Sequence, residues 1–410
     1  MKLKTLTLIT AATLAIWPLT AGAFYNGTGD WGSLDLRCAT DVQGYYMGDN
    51  GPRLLYPESA YGQAIENIRL LMDGDFADLI KLNVNVYQNL TAVTDFNYFF
   101  FTPGMDSYQT SYLSHTWGSG KITGSIFTDQ LSLMFYTNRV DTTIGRQPVN
   151  FANNLIFVPN DVFHPFAYGA VDTTFRPGVD AARADIRLAQ LAKLTFIGVL
   201  GYHDGSITWP QSAVMAHASV NAAGFDWIVL GGKIRNSYLV GAAFSGELWE
   251  LGVRFEGNVQ IPETSQPSYV QAAFGVDHKW PDSLHLIAEY YYHGNGTMDP
   301  SKYLNRMREQ DLSVDSLLGI HYLGVALMGD ALPTLKLQAF VLANLTDPSA
   351  SFIPGIIYNA ADEVDLMLMG NIPIGRIPTV QYNTPIPDVQ FNSEFGAYPY
   401  SFSVLTRVYF

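Results

Sequence analysis

The chain has 410 residues, a formal net charge of −14 and one cysteine, Cys38. Charged residues make up 15% of it, well below the ~25% of soluble domains, while Phe and Tyr number 24 each. One cysteine excludes an internal disulfide framework, and no C-x-x-C-H exists for haem attachment.

In chain order, the first element is "MKLKTLTLITAATLAIWPLTAGA". Lys2 and Lys4, an apolar stretch and Ala21-Gly22-Ala23 predict a signal peptide over 1–23, with the mature chain starting at Phe24. Removing those 23 residues and two lysines takes 410 residues at −14 to 387 residues at −16. No run of about 18 apolar residues follows, so no helix is expected to span a membrane.

Apolar residues alternate instead. In 31–47, Leu34, Leu36, Cys38, Thr40 and Val42 share one face, and Asp35, Arg37, Asp41 and Gln43 the other. Ile80, Leu82, Val84 and Val86 oppose Lys81, Asn83 and Asn85. A strand starting at Trp249 sets Leu251, Val253, Phe255 and Val259 against Glu250, Arg254, Glu256 and Asn258. The chain closes on "SFSVLTRVYF", where Phe402, Val404, Thr406, Val408 and Phe410 alternate with Arg407 and smaller or polar residues. Strands of about ten residues match a ~25 Å apolar band better than soluble strands of five or six.

Short connections ("MDGDFA", "TNRV", "LAK", "NAAG", "SGE", "KWPDS", "GDALP", "NAADE") separate longer ones near 49–61, 90–118, 148–180, 259–267, 294–314 and 373–393. Eight short turns, the first strand and the terminal strand predict an all-β fold: one transmembrane antiparallel barrel of about 18 strands, range 16–20, over 24–410. A lipid-exposed Arg or Lys near the midplane costs about 2–4 kcal/mol. Arg37, Lys81, Arg183, Arg187, Arg254, Lys279, Lys336 and Arg407 are therefore expected to face the lumen. So are Asp35, Asp41, Asp185, Glu250, Glu256, Asp277, Glu289, Glu363 and Asp365, which leaves the assigned wall close to neutral.

The segment 148–180 reads differently from an outer loop. It carries Phe151, Leu155, Ile156, Phe157, Phe163, Phe166, Tyr168, Phe175 and Arg176, with Pro148, Pro159, Pro165 and Pro177 to stiffen it. So much apolar surface is unfavourable in water, so the segment is expected to fold inward and constrict the lumen. Arg146 is expected to tether it through Asp161.

The signal peptide, even strand count and terminal Phe resemble bacterial outer-membrane barrels. That resemblance implies the outer membrane of a Gram-negative bacterium, with its lipid as surroundings. It also implies that Phe402, Val404, Val408 and Phe410 carry the address read by the barrel-assembly machinery. Gly145-Arg146-Gln147, followed by Pro159-Asn160-Asp161-Val162-Phe163-His164-Pro165-Phe166, resembles a motif of porin-like barrels. These include export-type barrels and the barrel subunits of porin–cytochrome conduits. Phe151-Ala152 stands where Trp-Gly is usual. The expectation is a porin for passive passage of small hydrophilic solutes. The alternative is a sheath around a multihaem cytochrome.

No P-loop, H-E-x-x-H or paired-cysteine site is present, and no cofactor, metal or nucleic-acid partner is expected. His217 and Ser219 have the H-x-S spacing of outer-membrane phospholipases, but alternation turns them into the lumen, so an enzyme is not expected. His285, Glu289 and His293 are each four residues apart on one strand face, about 13 Å per step, too far for one metal. Tyr290-Tyr291-Tyr292 reads as an interface girdle, and the aromatics of "TDFNYFFFTPG" as a docking surface or loop cluster.

Overall fold

Period-two alternation and tight turns build one continuous wall. The computed structural model describes residues 25–49, 51–52, 60–94, 108–166, 168, 174–281, 283–309, 317–381 and 388–410. The signal segment and the aromatic stretch 95–107 lie outside the described residues. Eighteen strands form the wall, each antiparallel to its chain neighbour. They are β1 (Gly32–Gly48), β2 (Ala60–Phe76), β3 (Ile80–Val93), β4 (Ile122–Phe135), β5 (Val140–Gln147), β6 (Val179–Ala189) and β7 (Ala192–Val199). There follow β8 (Ala213–Ala222), β9 (Phe225–Ile234), β10 (Ser237–Leu248), β11 (Leu251–Pro262), β12 (Tyr269–Lys279) and β13 (His285–His293). The last five are β14 (His321–Leu332), β15 (Leu335–Asn344), β16 (Ser349–Ala361), β17 (Val364–Ile374) and β18 (Ser401–Tyr409). Two short strands complete the same sheet: Tyr25–Gly29 pairs with the start of β1, and Ser114–Ser119 with the start of β4.

Closure comes from β18, which pairs with β17 on one side and with Ala39–Met47 of β1 on the other. Phe410 completes it: its N–H donates to the Cys38 carbonyl (2.8 Å) and its own carbonyl accepts from the Cys38 N–H (3.1 Å). A closed ring leaves every wall strand paired on both sides, which is what a strand fold requires in hydrocarbon.

The outward face is apolar. Ile68, Leu70, Leu133, Ile144, Phe196, Val214, Val229, Val240, Val270, Leu327 and Ile356 are exposed on it. Exposed Trp31, Trp227, Trp249 and Trp280 gather near the short-turn end, and Tyr46, Tyr238, Tyr290, Tyr292 and Tyr400 near the long-loop end. Such an apolar band with aromatic margins is the exterior of a bilayer-spanning barrel.

The turns correct two placements. β10 runs through "SGE" to Leu248, and the hairpin turn is Trp249-Glu250, with φ of 50° and 70°. Positive φ at both central residues gives the twist that a two-residue hairpin needs. Glu250 thus sits in the turn rather than on the lumen face, and Glu363 likewise lies in the turn between β16 and β17.

Cys38 pairs across the sheet with Leu70, which is 46% exposed on the outward face. Directly opposed residues share a face. A membrane-impermeant thiol reagent is therefore expected to leave Cys38 unlabelled in intact membranes and to label it after denaturation. Rapid labelling of the intact barrel would reverse the facing of β1, and with it the lumen position of Asp35, Arg37 and Asp41.

Candidate functional site: an inward segment held by wall carboxylates

The connection from β5 to β6 runs through the lumen. Its base is closed by Arg146, whose Nε donates to Asp180 Oδ1 (2.7 Å) and whose Nη2 donates to Asp180 Oδ2 (3.1 Å). Arg146 also donates to the Thr128 and Thr110 carbonyls and is 2% exposed. Strict alternation would put Arg146 on the outward face of Ile144. Gly145 breaks that alternation with φ 114°, at a point where a Cβ would lie 2.3 Å from the Leu131 carbonyl oxygen. The expected Arg146–Asp161 pair is thus corrected. Asp161 pairs with Arg176 inside the segment, and Arg146 pairs with the aspartate across the base of the loop.

From that base the segment crosses to the far wall. Phe151 stacks on His217 of β8 with ring centroids 4.9 Å apart. The backbone N–H groups of Asn153 (2.6 Å), Asn154 (2.8 Å) and Asn160 (2.9 Å) all donate to the Glu256 carboxylate on β11. Those of Leu155 (2.8 Å), Ile156 (3.0 Å) and Phe157 (2.8 Å) all donate to the Glu289 carboxylate on β13. Asn258 holds the Pro159 carbonyl (2.7 Å), and Phe157 stacks on Tyr291 at 5.0 Å. The chain then returns past β18 and β2. Arg407 donates to Thr174 Oγ1 (2.6 Å), and the Arg69 guanidinium carbon lies 4.2 Å from the centre of the Phe175 ring and 4.6 Å from that of Tyr87.

Apolar packing fixes the near half. Ala181, Ile197, Val199, Ala213, Met215, Leu230 and Leu239 form a buried cluster with Tyr108, Val149, Phe151, Val162 and Phe163. Those wall residues have inward parity, where a water-filled lumen predicts polar side chains. That reversed parity over β6–β10 is the sequence signal that marks where the segment docks.

Two side chains of the segment are electrostatically perturbed. Burial pushes Asp161 up, and Arg176 opposes that shift. Burial pushes His164 down to about 4, and Arg235, Arg176 and Arg146 push the same way. His164 is therefore neutral at neutral pH.

The other lumen residues are mostly paired along the wall. Arg37 meets Asp35 (2.9 Å) and Asp73, Arg183 meets Asp185 (2.8 Å), and Arg254 meets Asp277 (3.2 Å). Arg187 meets Asp141 at the short-turn end, and Lys336 reaches Asp330 at 4.0 Å. Lys81 opposes Asp75 across β2 and β3. Phe166 covers the guanidinium of Arg176 at 4.9 Å. Tyr290 and Tyr292 stay on the outer girdle, but Tyr291, 1% exposed, is an inward anchor.

No protein-family profile and no curated protein sequence matches the chain. Solved structures do. The chain is similar to a BenF-like porin from Pseudomonas fluorescens Pf-5, at TM-score 0.58 and 8% identity over 92% of this chain and 98% of that one. It is similar to Acinetobacter baumannii OccAB3, at TM-score 0.55 and 10% identity over 92% and 99%. It is also similar to Pseudomonas aeruginosa OccK11, at TM-score 0.52 and 8% identity over 92% and 96%. The chain has a porin's fold.

Removing one anchor tests the arrangement. Glu289→Ala leaves the Leu155, Ile156 and Phe157 N–H groups without their acceptor, at roughly 1–3 kcal/mol for the buried Phe157 group and less for the two that water can reach. The expected outcome is an assembled barrel whose residues 153–160 become accessible to protease added from outside. Continued protection would show that packing alone holds the tip.

Proposed function

We propose that the chain is a passive outer-membrane channel for small hydrophilic solutes, narrowed by the segment 148–180. The observation that carries this reading is the span of that segment. It reaches Glu256 and Glu289 on one side of the lumen and Arg69 and Arg407 on the other. A chain crossing the lumen and tied at both sides sets the narrowest cross-section. What passes must fit the space left beside it.

The paired charges support a channel that discriminates by size more than by charge. Arg37, Arg69, Arg146, Arg176, Arg183, Arg187 and Arg254 each have an aspartate partner. Their fields cancel at short range and are screened within ~8 Å at physiological salt. His217, against the ring of Phe151, is packed under the segment, a poor position for lipid hydrolysis beside Ser219. The sheath reading needs a lumen wide enough for a second protein, and the segment occupies that space. The terminal alternation through Phe402, Val404, Val408 and Phe410 supports insertion into the outer membrane by the assembly machinery, and the signal peptide expected over 1–23 is in keeping with that destination.

Replacing Phe151 to Phe175 with a short Gly-Ser bridge keeps the Arg146–Asp180 pair and removes the obstruction. Single-channel conductance in planar bilayers is expected to rise severalfold, with the barrel still heat-modifiable. Arg176→Ala, which frees Asp161, is expected to act in the same direction but more weakly. Unchanged conductance after the deletion would place the narrowest section elsewhere and reopen the sheath reading.

A further inference from the structure

At the long-loop end, two buried carboxyl groups meet with no basic partner among the described residues. Glu394 lies in the connection 375–400 and Asp347 in the turn 345–348, 1% and 3% exposed. Glu394 Oε1 accepts from the Leu318 N–H (3.0 Å), and Oε2 accepts from Asn344 Nδ2 (2.6 Å) and meets the Tyr322 hydroxyl, which donates to the carboxylate and can accept from the protonated acid. Asp347 Oδ2 accepts from the Tyr303 hydroxyl (2.6 Å), the Glu394 N–H (3.0 Å) and the same Asn344 amide (3.3 Å). Its Oδ1 accepts from Ser349. One amide group thus bridges two acids. The cluster joins three connections: 294–320, which supplies Tyr303 and Leu318, 345–348, and 375–400.

The cluster also touches the inward segment. The Tyr322 ring lies 6.4 Å from Phe157, at the tip of the segment, and 6.5 Å edge-on from Phe395, next to Glu394. A change at Glu394 therefore reaches the segment through one side chain. We propose that this cluster is a proton-operated latch: with Glu394 protonated it holds the three connections and the tip of the segment together, and loss of that proton to solvent releases them.

The physical ground is the cost of a second negative charge in a buried site that lacks a cation. Burial and the Asp347 charge push Glu394 up to about 8. The groups facing it are Asp347, Tyr303, Tyr322 and Tyr398. Tyr303 and Tyr398 are themselves pushed up by burial and by the acids. His293, which meets the Gly319 carbonyl at 3.1 Å, is the imidazole beside Leu318. A carboxyl pushed above its ordinary value of 4.5 stabilises the latched state fully below 4.5 and loses that contribution as pH rises to about 8. His164 acts in the opposite sense but only between 6.5 and about 4, below the window in which Glu394 loses its proton.

The effect on current rests on the channel reading above, but the latch does not, so its test reads the loops directly. Amide exchange at Leu318 and Glu394 in the detergent-solubilised barrel, corrected for intrinsic rates, is expected to be on the order of tenfold faster at pH 8.5 than at pH 6.5. Glu394→Gln keeps the size of the side chain but cannot ionise, and is expected to show equal exchange at both values. Asp347→Asn, which removes the neighbouring charge, is expected to move the transition to lower pH and serves if the first variant does not assemble. In bilayers, wild-type current noise is expected to rise over the same window. Exchange independent of pH in the wild type, or a pH profile kept by Glu394→Gln, overturns the latch. A pH-dependent exchange in a barrel that carries no current would leave the latch standing and sink the channel reading.

Discussion

Six backbone N–H groups in the lumen determine what this barrel is. Residues 153–160 form no helix or strand, so their donors need partners that secondary structure does not supply. Glu256 and Glu289 supply them, each carboxylate accepting three. The dependence is mutual. Each acid is buried, 0% and 1% exposed, and the amide dipoles stand where a cation would otherwise be needed. Each partner answers a need of the other: the wall without the segment leaves two carboxylates for water in an opened lumen to solvate, and the segment without the wall leaves orphan donors.

The remaining anchors follow from that placement. With the tip fixed at β11 and β13, the chain must return over the opposite wall, where Arg69 and Arg407 receive Phe175 and Thr174. The Arg146–Asp180 fork then closes the loop at its base, so a connection of more than thirty residues behaves as a short one. Ion pairs that would be weak on a surface are buried here, where losing one partner leaves an uncompensated charge.

Much of the barrel was legible from residues alone, because alternation is a local property. Cys38 facing outward with Leu70, eighteen strands, and His217 turning inward all follow from counting by two. The inward course of 148–180 was legible from its apolar content. Its partners were not. Asp161 was paired with Arg146, whereas Arg176 of the same segment takes it, and the difference depends on how Gly145 turns the strand end. Glu256 and Glu289 read as ordinary lumen acids because their donors are backbone amides, which every residue carries and no pattern betrays. Glu250 was displaced by one hairpin turn. Tyr291 was read with its neighbours as a girdle although it alternates with them. The inward-parity run of Ile197, Val199, Met215, Leu230 and Leu239 was the one overlooked local signal.

The central claim is that residues 153–160 are docked on the inner face of β10–β13 in the assembled protein. Asn153 Oδ1 accepts from the Ser245 hydroxyl at 3.0 Å, so the two side chains are in direct contact. A barrel with Asn153→Cys and Ser245→Cys, with Cys38→Ser to remove the free thiol, tests the claim with a short bifunctional thiol reagent in intact membranes. A crosslink forming in nearly every assembled molecule, with single-channel conductance unchanged, is the predicted result. Two thiols that stay unlinked, or a crosslink that sharply lowers the current, would contradict the docking.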